Sequence, residues 1–251
     1  MSVAVPGHEP ILFDLGTGAR YFGLRYDAAT PFRGSCLITH LHWDHVQGLP
    51  FFPPILRSGS HLDFYAPIQE HGPSVSEAIR TSIGPPMFPV HVDALPGTVE
   101  FHEKGNDEFA IGDVAVTSRL IPHVGNTLGY RLDVDGASVA YLSDHQQPGI
   151  DVYEATPNAL ELCDGADVLI HDAQFSRAEF PEKSDWGHCT AEYATWLAME
   201  CGVKRVVLFH HDPNHDDDAV DAALASAVAF ASDADLEILA AAEGLTLHVG
   251  R

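Results

Sequence analysis

The sequence predicts a layered α/β fold. Short apolar runs that suit strands alternate with segments of helical period, and turn residues separate them. Several of the apolar runs are followed by side chains that commonly bind metal ions, as expected where a sheet places a site at one edge. The chain has 251 residues, 45% of them hydrophobic, which is enough for a sizeable core. We expect residues 1–251 to form a single domain.

The strands and helices are predicted from periodicity and from turn and capping residues. Apolar or alternating runs predict strands at 11–13, 36–38, 62–66, 114–120, 129–134, 137–142, 167–171, 204–209, 236–239 and 245–249. Asp135-Gly136 indicates a hairpin turn between two of them. Helices are predicted at 74–82, 190–201 and 216–231; Ser74 and Glu77 form a capping-box pattern. Segment 84–89 is irregular, and its two interpretations are a lid and a dimer contact.

Four potential metal ligands lie within one short loop after the strand at 36–38. They are His40, His42, Asp44 and His45. Imidazole and carboxylate groups together suit Zn, Mn or Fe rather than Ca or Mg, which prefer oxygen ligands. His40 and His42 alternate and can point at one ion, while Asp44 and His45 can turn toward a second. One histidine beside apolar residues is usually a packed or surface residue, but four in this register indicate a metal site.

Three more ligand-type residues follow predicted strands further along the chain. They are His123, Asp144 and His210. We expect two metal ions, one held by His40, His42 and His123 and the other by Asp44, His45 and His210. Asp144 is the natural bridge, because a carboxylate has two oxygens that can bind different ions. Asp14 is either a residue that orients a ligand histidine or a plain turn residue.

Two ions about 3.5–4 Å apart can share a hydroxide and stabilise both the attacking and the leaving oxygen of a displacement. Such a centre suits phosphodiesters, and esters and amides stay open as substrates. His188 is placed to donate a proton to a departing alkoxide, and Asp172 can fix its tautomer. The competing interpretations are that His188 only caps the helix at 190 and that Asp172 is structural. Asp44 can double as a general base.

On these residues the chain resembles the metallo-β-lactamase superfamily, from residue 11 nearly to its end. The His-x-His-x-Asp-His motif carries this resemblance. Segments 166–175 and 187–192 are similar to those of ribonuclease Z and of the phosphoribosyl cyclic phosphodiesterase of phosphonate breakdown. The resemblance implies a four-layer αββα sandwich, with two mixed β-sheets packed face to face and helices outside. It also implies that His188 assists phosphate chemistry, that Asp172 supports it, and that the protein is a homodimer.

The chain departs from both of these relatives. Ribonuclease Z carries a long arm that clamps tRNA between the positions matching His123 and Asp144, and only residues 124–143 separate them here. The phosphonate-pathway enzyme is expected to hold an extra structural zinc through a cysteine cluster. The four cysteines of this chain, Cys36, Cys163, Cys189 and Cys201, form no such cluster, and we expect each to be a small buried side chain.

Net charge and hydropathy indicate which classes of partner the protein can bind. There are 13 basic and 36 acidic residues, which gives a net charge of −23. A basic surface is the usual requirement for gripping a nucleic-acid backbone, so a long nucleic acid is disfavoured and a small anionic substrate held at the metal ions is favoured. No apolar run reaches the roughly 18–20 residues that span a bilayer. The N-terminus has no signal-peptide pattern, so we expect a cytoplasmic protein with no membrane partner.

The sequence therefore predicts a dinuclear, metal-dependent phosphodiesterase that hydrolyses small, preferably cyclic, phosphodiesters through a metal-bridging hydroxide. Zinc is the first expectation for the metal, with manganese or iron as alternatives. The alternative functions are a ribonuclease Z-like nuclease, a thioesterase or lactonase with the same centre, and a sensor module without activity. His145 is expected beside the centre and His171 in the core, while His211, Asp212 and His215 either line the site or form a solvated loop.

Overall fold

A computed structural model describes residues 1–27, 29–232 and 234–250. The chain divides into two compact units, Met1–Gly105 and Asn106–Arg251. Each unit is built around its own mixed β-sheet, with helices beside it. That residues 1–251 behave as a single domain stays a prediction.

The first unit contains a five-stranded sheet in the order β1-β2-β3-β4-β5. Its strands are β1 (Ser2–Val3), β2 (Ile11–Phe13), β3 (Arg33–Leu37), β4 (His61–Pro67) and β5 (Thr98–Lys104). β1 pairs antiparallel with β2, and the other neighbours pair in parallel. The predicted strand at 11–13 is confirmed at both ends, and those at 36–38 and 62–66 are confirmed to within three residues.

Three α-helices and three short 3-10 helices complete the first unit. The α-helices are α1 (Ala19–Arg25), α2 (Trp43–Val46) and α3 (Val75–Ser82), and the 3-10 helices are Leu49–Phe51, Pro53–Leu56 and Val92–Ala94. Ser74 and Glu77 form the predicted capping box at the start of α3. Phe32, Phe52 and Phe64 are fully buried in the core on one side of the sheet.

The second unit contains a seven-stranded sheet in the order β12-β11-β10-β9-β8-β7-β6. Its strands are β6 (Asp107–Ile111), β7 (Val114–Ile121), β8 (Thr127–Val134), β9 (Ala137–Leu142), β10 (Val168–Asp172), β11 (Arg205–Phe209) and β12 (Glu237–Ala240). β6 to β9 form an antiparallel meander, and β9 to β12 are parallel. Asp135 and Gly136 turn between β8 and β9 with φ of 51° and 77°, which confirms the predicted hairpin.

The helices of the second unit connect its parallel strands. They are α4 (Pro157–Cys163), α5 (Ala191–Glu200) and α6 (Asp217–Ala231), with a 3-10 helix at Phe180–Glu182. Thr190 and Asp216 cap α5 and α6 by accepting hydrogen bonds from backbone N–H groups of the first turn. Leu142, Leu169 and Leu208 are fully buried where β9, β10 and β11 meet the helices. All four cysteines are buried and free, as predicted.

One predicted strand is wrong. Segment 245–249 forms neither a helix nor a strand, although its residues alternate in polarity. The chain turns after β12, where the Leu245 N–H donates to the Ala242 carbonyl. Segment 84–89 is irregular as expected. None of the helices in the described ranges is both long and apolar enough to cross a membrane.

Candidate metal centre

The loop after β3 is held against the turn that follows β2. The Leu15 N–H donates to the His45 carbonyl at 2.7 Å, and the Gly48 N–H donates to the Leu15 carbonyl at 2.7 Å. A Cβ on Gly48 would lie only 2.1 Å from the Gly16 carbonyl oxygen, so only glycine permits this approach. These contacts fix the position of the loop that carries the His-x-His-x-Asp-His motif.

The four ligand-type side chains of this loop lie together, and their division between two ions stays a prediction. His40 Nε2 is 2.7 Å from His42 Nδ1, and His45 Nε2 is 3.0 Å from Asp44 Oδ2. The His40 and His45 rings are 4.3 Å apart, centre to centre. His40 and His45 are buried, whereas the Asp44 side chain is 58% exposed. We call these four residues the first cluster.

Asp14 orients His45. Oδ2 of Asp14 is 2.9 Å from His45 Nδ1, and Oδ1 accepts the Thr39 N–H at 2.8 Å. Because an ionised carboxylate only accepts hydrogen bonds, His45 Nδ1 carries the proton and the lone pair lies on Nε2. Carboxylates that hold a ligand histidine in this way are common around metal ions. Asp14 adopts a left-handed conformation, with φ of 54°, as Asp135 does in the hairpin turn.

In the second unit, four strands end at the same edge of the sheet. β9, β10 and β11 are parallel neighbours, and β7 runs in the same direction as β9 because two antiparallel pairings separate them. His123 follows β7, Asp144 follows β9, Asp172 ends β10 and His210 follows β11. The topology therefore gathers residues that are up to 87 positions apart, from 123 to 210.

The Asp144 carboxylate lies among three imidazoles. Oδ1 is 3.8 Å from His123 Nε2, and Oδ2 is 3.7 Å from His210 Nε2. His188 Nδ1 is 3.8 Å from Oδ1. These distances are too long for hydrogen bonds, but they are close to the roughly 3–4 Å expected between two ligands of one ion with bonds of about 2.0–2.2 Å. Asp144 is only 2% exposed, so its charge needs a nearby cation.

His123 is oriented by the loop before α5. Its Nδ1 lies 2.7 Å from the Gly187 carbonyl oxygen, which makes Nδ1 the protonated nitrogen and turns Nε2 toward Asp144. A Cβ on Gly187 would meet His123 Nδ1, and Gly187 has φ of 97°. Gln146 Oε1 accepts the Gly187 N–H at 2.7 Å. Neither Gly187 nor Gln146 was predicted as a site residue, although Gln146 lies only two residues after Asp144.

His188 is hydrogen-bonded to Asp172. His188 Nδ1 and Asp172 Oδ2 are 2.7 Å apart, and the His188 ring stacks on His210 with centres 5.1 Å apart. Asp144, His188 and His210 each offer a ligand atom within 4.8 Å of the other two. Thr190, not His188, caps α5, so the alternative role of His188 as a helix cap is wrong. His123, Asp144, His188 and His210 are called the second cluster.

Asp172 is fully buried and organises the backbone around it. It accepts the backbone N–H groups of His145 at 3.3 Å, Gln174 at 2.9 Å and Cys189 at 3.4 Å. Three donors from separate segments give Asp172 a structural role beside its contact with His188. Asp172 can therefore both fix the tautomer of His188 and serve as a structural residue, the two interpretations that the sequence left open.

Two further histidines form a buried pair behind Asp172. His145 Nδ1 lies 2.8 Å from His171 Nε2, and His171 Nδ1 donates to the Asp172 carbonyl at 2.7 Å. Burial lowers the pKa of both imidazoles, and each lacks exposed surface. They therefore stay neutral near pH 7. This confirms His171 as a packed histidine and places His145 beside Asp144 and Asp172.

The residues after His210 are not a solvated loop throughout. Asp212 is only 6% exposed, and its Oδ2 accepts a bond from Lys183 Nζ at 3.0 Å. Burial raises the pKa of Asp212, but bonds from Asn214 and Lys183 outweigh it and bring the pKa to about 2. His215 Nε2 lies 3.0 Å from Glu179 Oε1. Asp212 and His215 thus connect the loop after β11 to segment 176–183.

Both clusters have the donor chemistry of a transition-metal site. Each contains a carboxylate and two or more imidazoles, and hydrogen bonds to Asp14 and to Gly187 fix one tautomer in each cluster. Imidazole nitrogen and carboxylate oxygen bind Zn, Mn and Fe. Divalent cations would also offset the charge of the buried Asp144.

Comparison with known proteins gives the family. Residues 25–211 match the family described as Beta-lactamase superfamily domain. Ribonuclease Z of Synechococcus sp. (strain CC9311) is 29% identical, over 81% of this chain and 78% of the relative. The metallo-beta-lactamase fold protein YhfI from Bacillus subtilis has a TM-score of 0.70 at 17% identity, covering 95% of this chain and 86% of YhfI. A diphosphatase from the PhnP family has a TM-score of 0.68 at 18% identity, covering 98% of this chain and 82% of the diphosphatase.

The family match covers both clusters, since it extends from before His40 to beyond His210. The two mixed sheets with flanking helices agree with the predicted α/β class and with the fold of YhfI. The chain therefore belongs to the beta-lactamase superfamily and is a metal-dependent hydrolase with the metallo-β-lactamase fold.

Proposed function

We propose that this chain hydrolyses small phosphodiesters, preferably cyclic nucleotides or cyclic sugar phosphates, with two divalent metal ions. The proposed ligands of one ion are His40, His42 and His123, those of the other are Asp44, His45 and His210, and Asp144 gives one oxygen to each. The first and second clusters would thus hold the ions jointly.

The main support for this proposal is the geometry of the Asp144 carboxylate. Its two oxygens face different imidazoles, Oδ1 toward His123 and Oδ2 toward His210. A carboxylate divided in this way suits a bridge between two ions better than a ligand of one. The division also matches the assignment of His123 and His210 to different ions, which was made from the sequence alone.

The metal ions would lower the pKa of a water molecule toward neutrality and neutralise charge on the phosphate oxygens. Zinc is the first expectation, because the proposed set is rich in imidazole, and manganese and iron suit the same donors.

The protein supplies the proton transfers. His188 would give a proton from Nε2 to the departing alkoxide, while its Nδ1–H stays bonded to Asp172. The hydrogen bond to the buried Asp172 carboxylate fixes the tautomer and the orientation of the His188 ring. The Asp44 side chain is 58% exposed, so it is accessible to the attacking water as a general base.

Charge and the absence of a long arm favour a small substrate. The net charge of −23 opposes a polyanion. Residues 124–143 are used by β8, β9 and their short connections, so this stretch offers no arm to hold tRNA. A small anion needs neither a basic surface nor an arm, because the metal ions themselves would bind its phosphate.

The proposal is tested by a substrate panel on metal-reconstituted protein. The panel contains 2′,3′-cyclic and 3′,5′-cyclic nucleotides, bis(p-nitrophenyl) phosphate, a diphosphate diester, a lactone and a thioester. We expect a cyclic phosphodiester to give the highest kcat/KM and chelator-treated protein to be inactive until metal is restored. Faster turnover of the lactone or thioester than of every phosphodiester would contradict the proposal and favour the thioesterase or lactonase alternative.

A ribonuclease Z-like nuclease is the second candidate, supported by the 29% identity to ribonuclease Z of Synechococcus. It would use the same phosphorus chemistry on a larger substrate. Precursor tRNA with a 3′ trailer separates the two candidates. Accurate trailer cleavage at a higher kcat/KM than any small diester, and still measurable at 150 mM salt, would establish the nuclease.

A further inference from the structure

A separate group of side chains, of the types that commonly bind metal ions, lies on the sheet of the first unit. Side chains alternate between the faces of a strand, so His61 and Asp63 of β4 share a face. Asp63 is paired with Glu100 of β5 in the parallel register, which brings these three side chains together. One ligand atom from each of His61, Asp63 and Glu100 lies within 4.8 Å of the others.

His102 extends this group. Its Nε2 is 2.7 Å from Asp63 Oδ1, and its ring stacks on Tyr65 with centres 4.5 Å apart and planes 21° apart. His61 Nε2 is 3.5 Å from Asp63 Oδ1 and 3.6 Å from Glu100 Oε2. The Tyr65 ring holds the imidazole in place, so the group is ordered rather than a random surface cluster.

The charges of the group also favour a cation. Asp63 and Glu100 are register partners on adjacent strands, and like charges that face each other across strands destabilise a sheet. A divalent ion would neutralise both carboxylates. The side chains of His61, Asp63 and His102 are a little over a quarter exposed, and Glu100 is more exposed, so an ion from solvent can reach them.

We propose that His61, Asp63 and Glu100 form a third metal site, which binds one zinc-like divalent ion, while His102 Nε2 donates a hydrogen bond that orients the Asp63 carboxylate. One imidazole nitrogen and two carboxylate oxygens, with water in the fourth position, are a donor set that zinc accepts. The site shares no residue with the proposed catalytic ligands. β5 is the last strand of its sheet, so the ion would join this outer strand to β4 and stabilise the first unit without taking part in hydrolysis.

The test is zinc binding to the full-length protein, measured by equilibrium dialysis with elemental analysis. The variant H61A/H102A removes both imidazoles, and H71A/H91A is the matched control, because His71 and His91 are exposed histidines of the same unit. We expect H61A/H102A to bind one zinc ion fewer per chain than the wild type and the control. Equal zinc content in all three proteins would overturn the proposal.

A second variant covers the case in which H61A/H102A does not fold. Glu100→Gln alters the most exposed ligand and should leave the fold intact. We expect it to weaken the extra zinc site by about tenfold or more and to reduce the rise of Tm on zinc addition. Its kcat on the best substrate should equal that of the wild type. An unchanged zinc titration of Glu100→Gln would overturn the proposal independently.

Discussion

His188 Nδ1 lies 2.7 Å from Oδ2 of Asp172, a carboxylate with no exposed surface. Because the carboxylate accepts the Nδ1 proton, the second nitrogen of His188 is the one left to exchange a proton with a substrate. The same contact fixes the orientation of the imidazole ring. This contact is the structural reason for assigning proton donation to His188.

Replacing His188 or Asp172 should slow hydrolysis most for substrates whose leaving group must be protonated. We expect His188→Ala to lower kcat on a cyclic nucleotide by about 10²–10⁴-fold and Asp172→Asn to lower it less. The loss should be far smaller on bis(p-nitrophenyl) phosphate, since p-nitrophenolate leaves without protonation. Steady-state kinetics with both substrates measures this, with metal content determined on each sample. Equal losses on the two substrates, or no loss, would refute the proton-donor role.

Asp144 should determine metal content. We expect Asp144→Asn to bind at least one divalent ion fewer per chain than the wild type and to lose hydrolytic activity, because an amide supplies neither the charge nor the second anionic oxygen. Asp151→Asn is the control, since Asp151 is an exposed carboxylate paired with Arg177. Elemental analysis after dialysis measures the difference. Wild-type metal content in Asp144→Asn would exclude a bridging role.

Gly187 should be required for the position of His123. A Cβ at residue 187 would collide with the His123 ring, so we expect Gly187→Ala to lower both metal affinity and stability. Gly244→Ala is the control, because Gly244 has a similar φ of 84° and no atom near its Cβ position. The control should lose only the roughly 1–2 kcal/mol of a left-handed alanine and keep its metal. Equal effects in the two variants would show that backbone strain alone matters.

The side chains proposed to bind metal were predictable, whereas those that orient them were not. Metal chemistry restricts ligands to a few residue types, and His123, Asp144 and His210 stand at the ends of recognisable strands. Gly187 and Gln146 act through contacts 64 and 41 positions away in sequence. No local pattern carries that information, because it depends on which strands become neighbours.

Contacts that depend on the pairing of strands were equally hard to predict from the sequence. The register of β4 against β5 brings His102 to Asp63 over 39 positions, so neither residue belonged to a visible motif. Segment 245–249 shows the opposite failure: its alternation is typical of a strand, but it forms neither a helix nor a strand. Helix caps such as Ser74 and Asp216 were predictable because their hydrogen bonds are local.

Acid should weaken the segment that contains Glu179. Burial raises the pKa of Glu179, but hydrogen bonds from Ser176 and His215 outweigh it and lower the pKa from 4.5 to about 2. The stabilisation is therefore complete above about pH 4.5 and is lost as the pH falls toward 2. We expect metal-free Glu179→Gln to lose less stability than the wild type between about pH 6 and pH 3 in urea unfolding. Parallel losses in the two proteins would contradict this assignment.

The most direct measurement of the central proposal is anomalous diffraction at the zinc edge from crystals of zinc-loaded protein. We expect two strong peaks near Asp144, one bonded to His40, His42 and His123 and the other to Asp44, His45 and His210, with an oxygen of Asp144 on each. A peak bonded to residues of one cluster alone, or Asp144 outside bonding distance of every ion, would contradict the proposed centre.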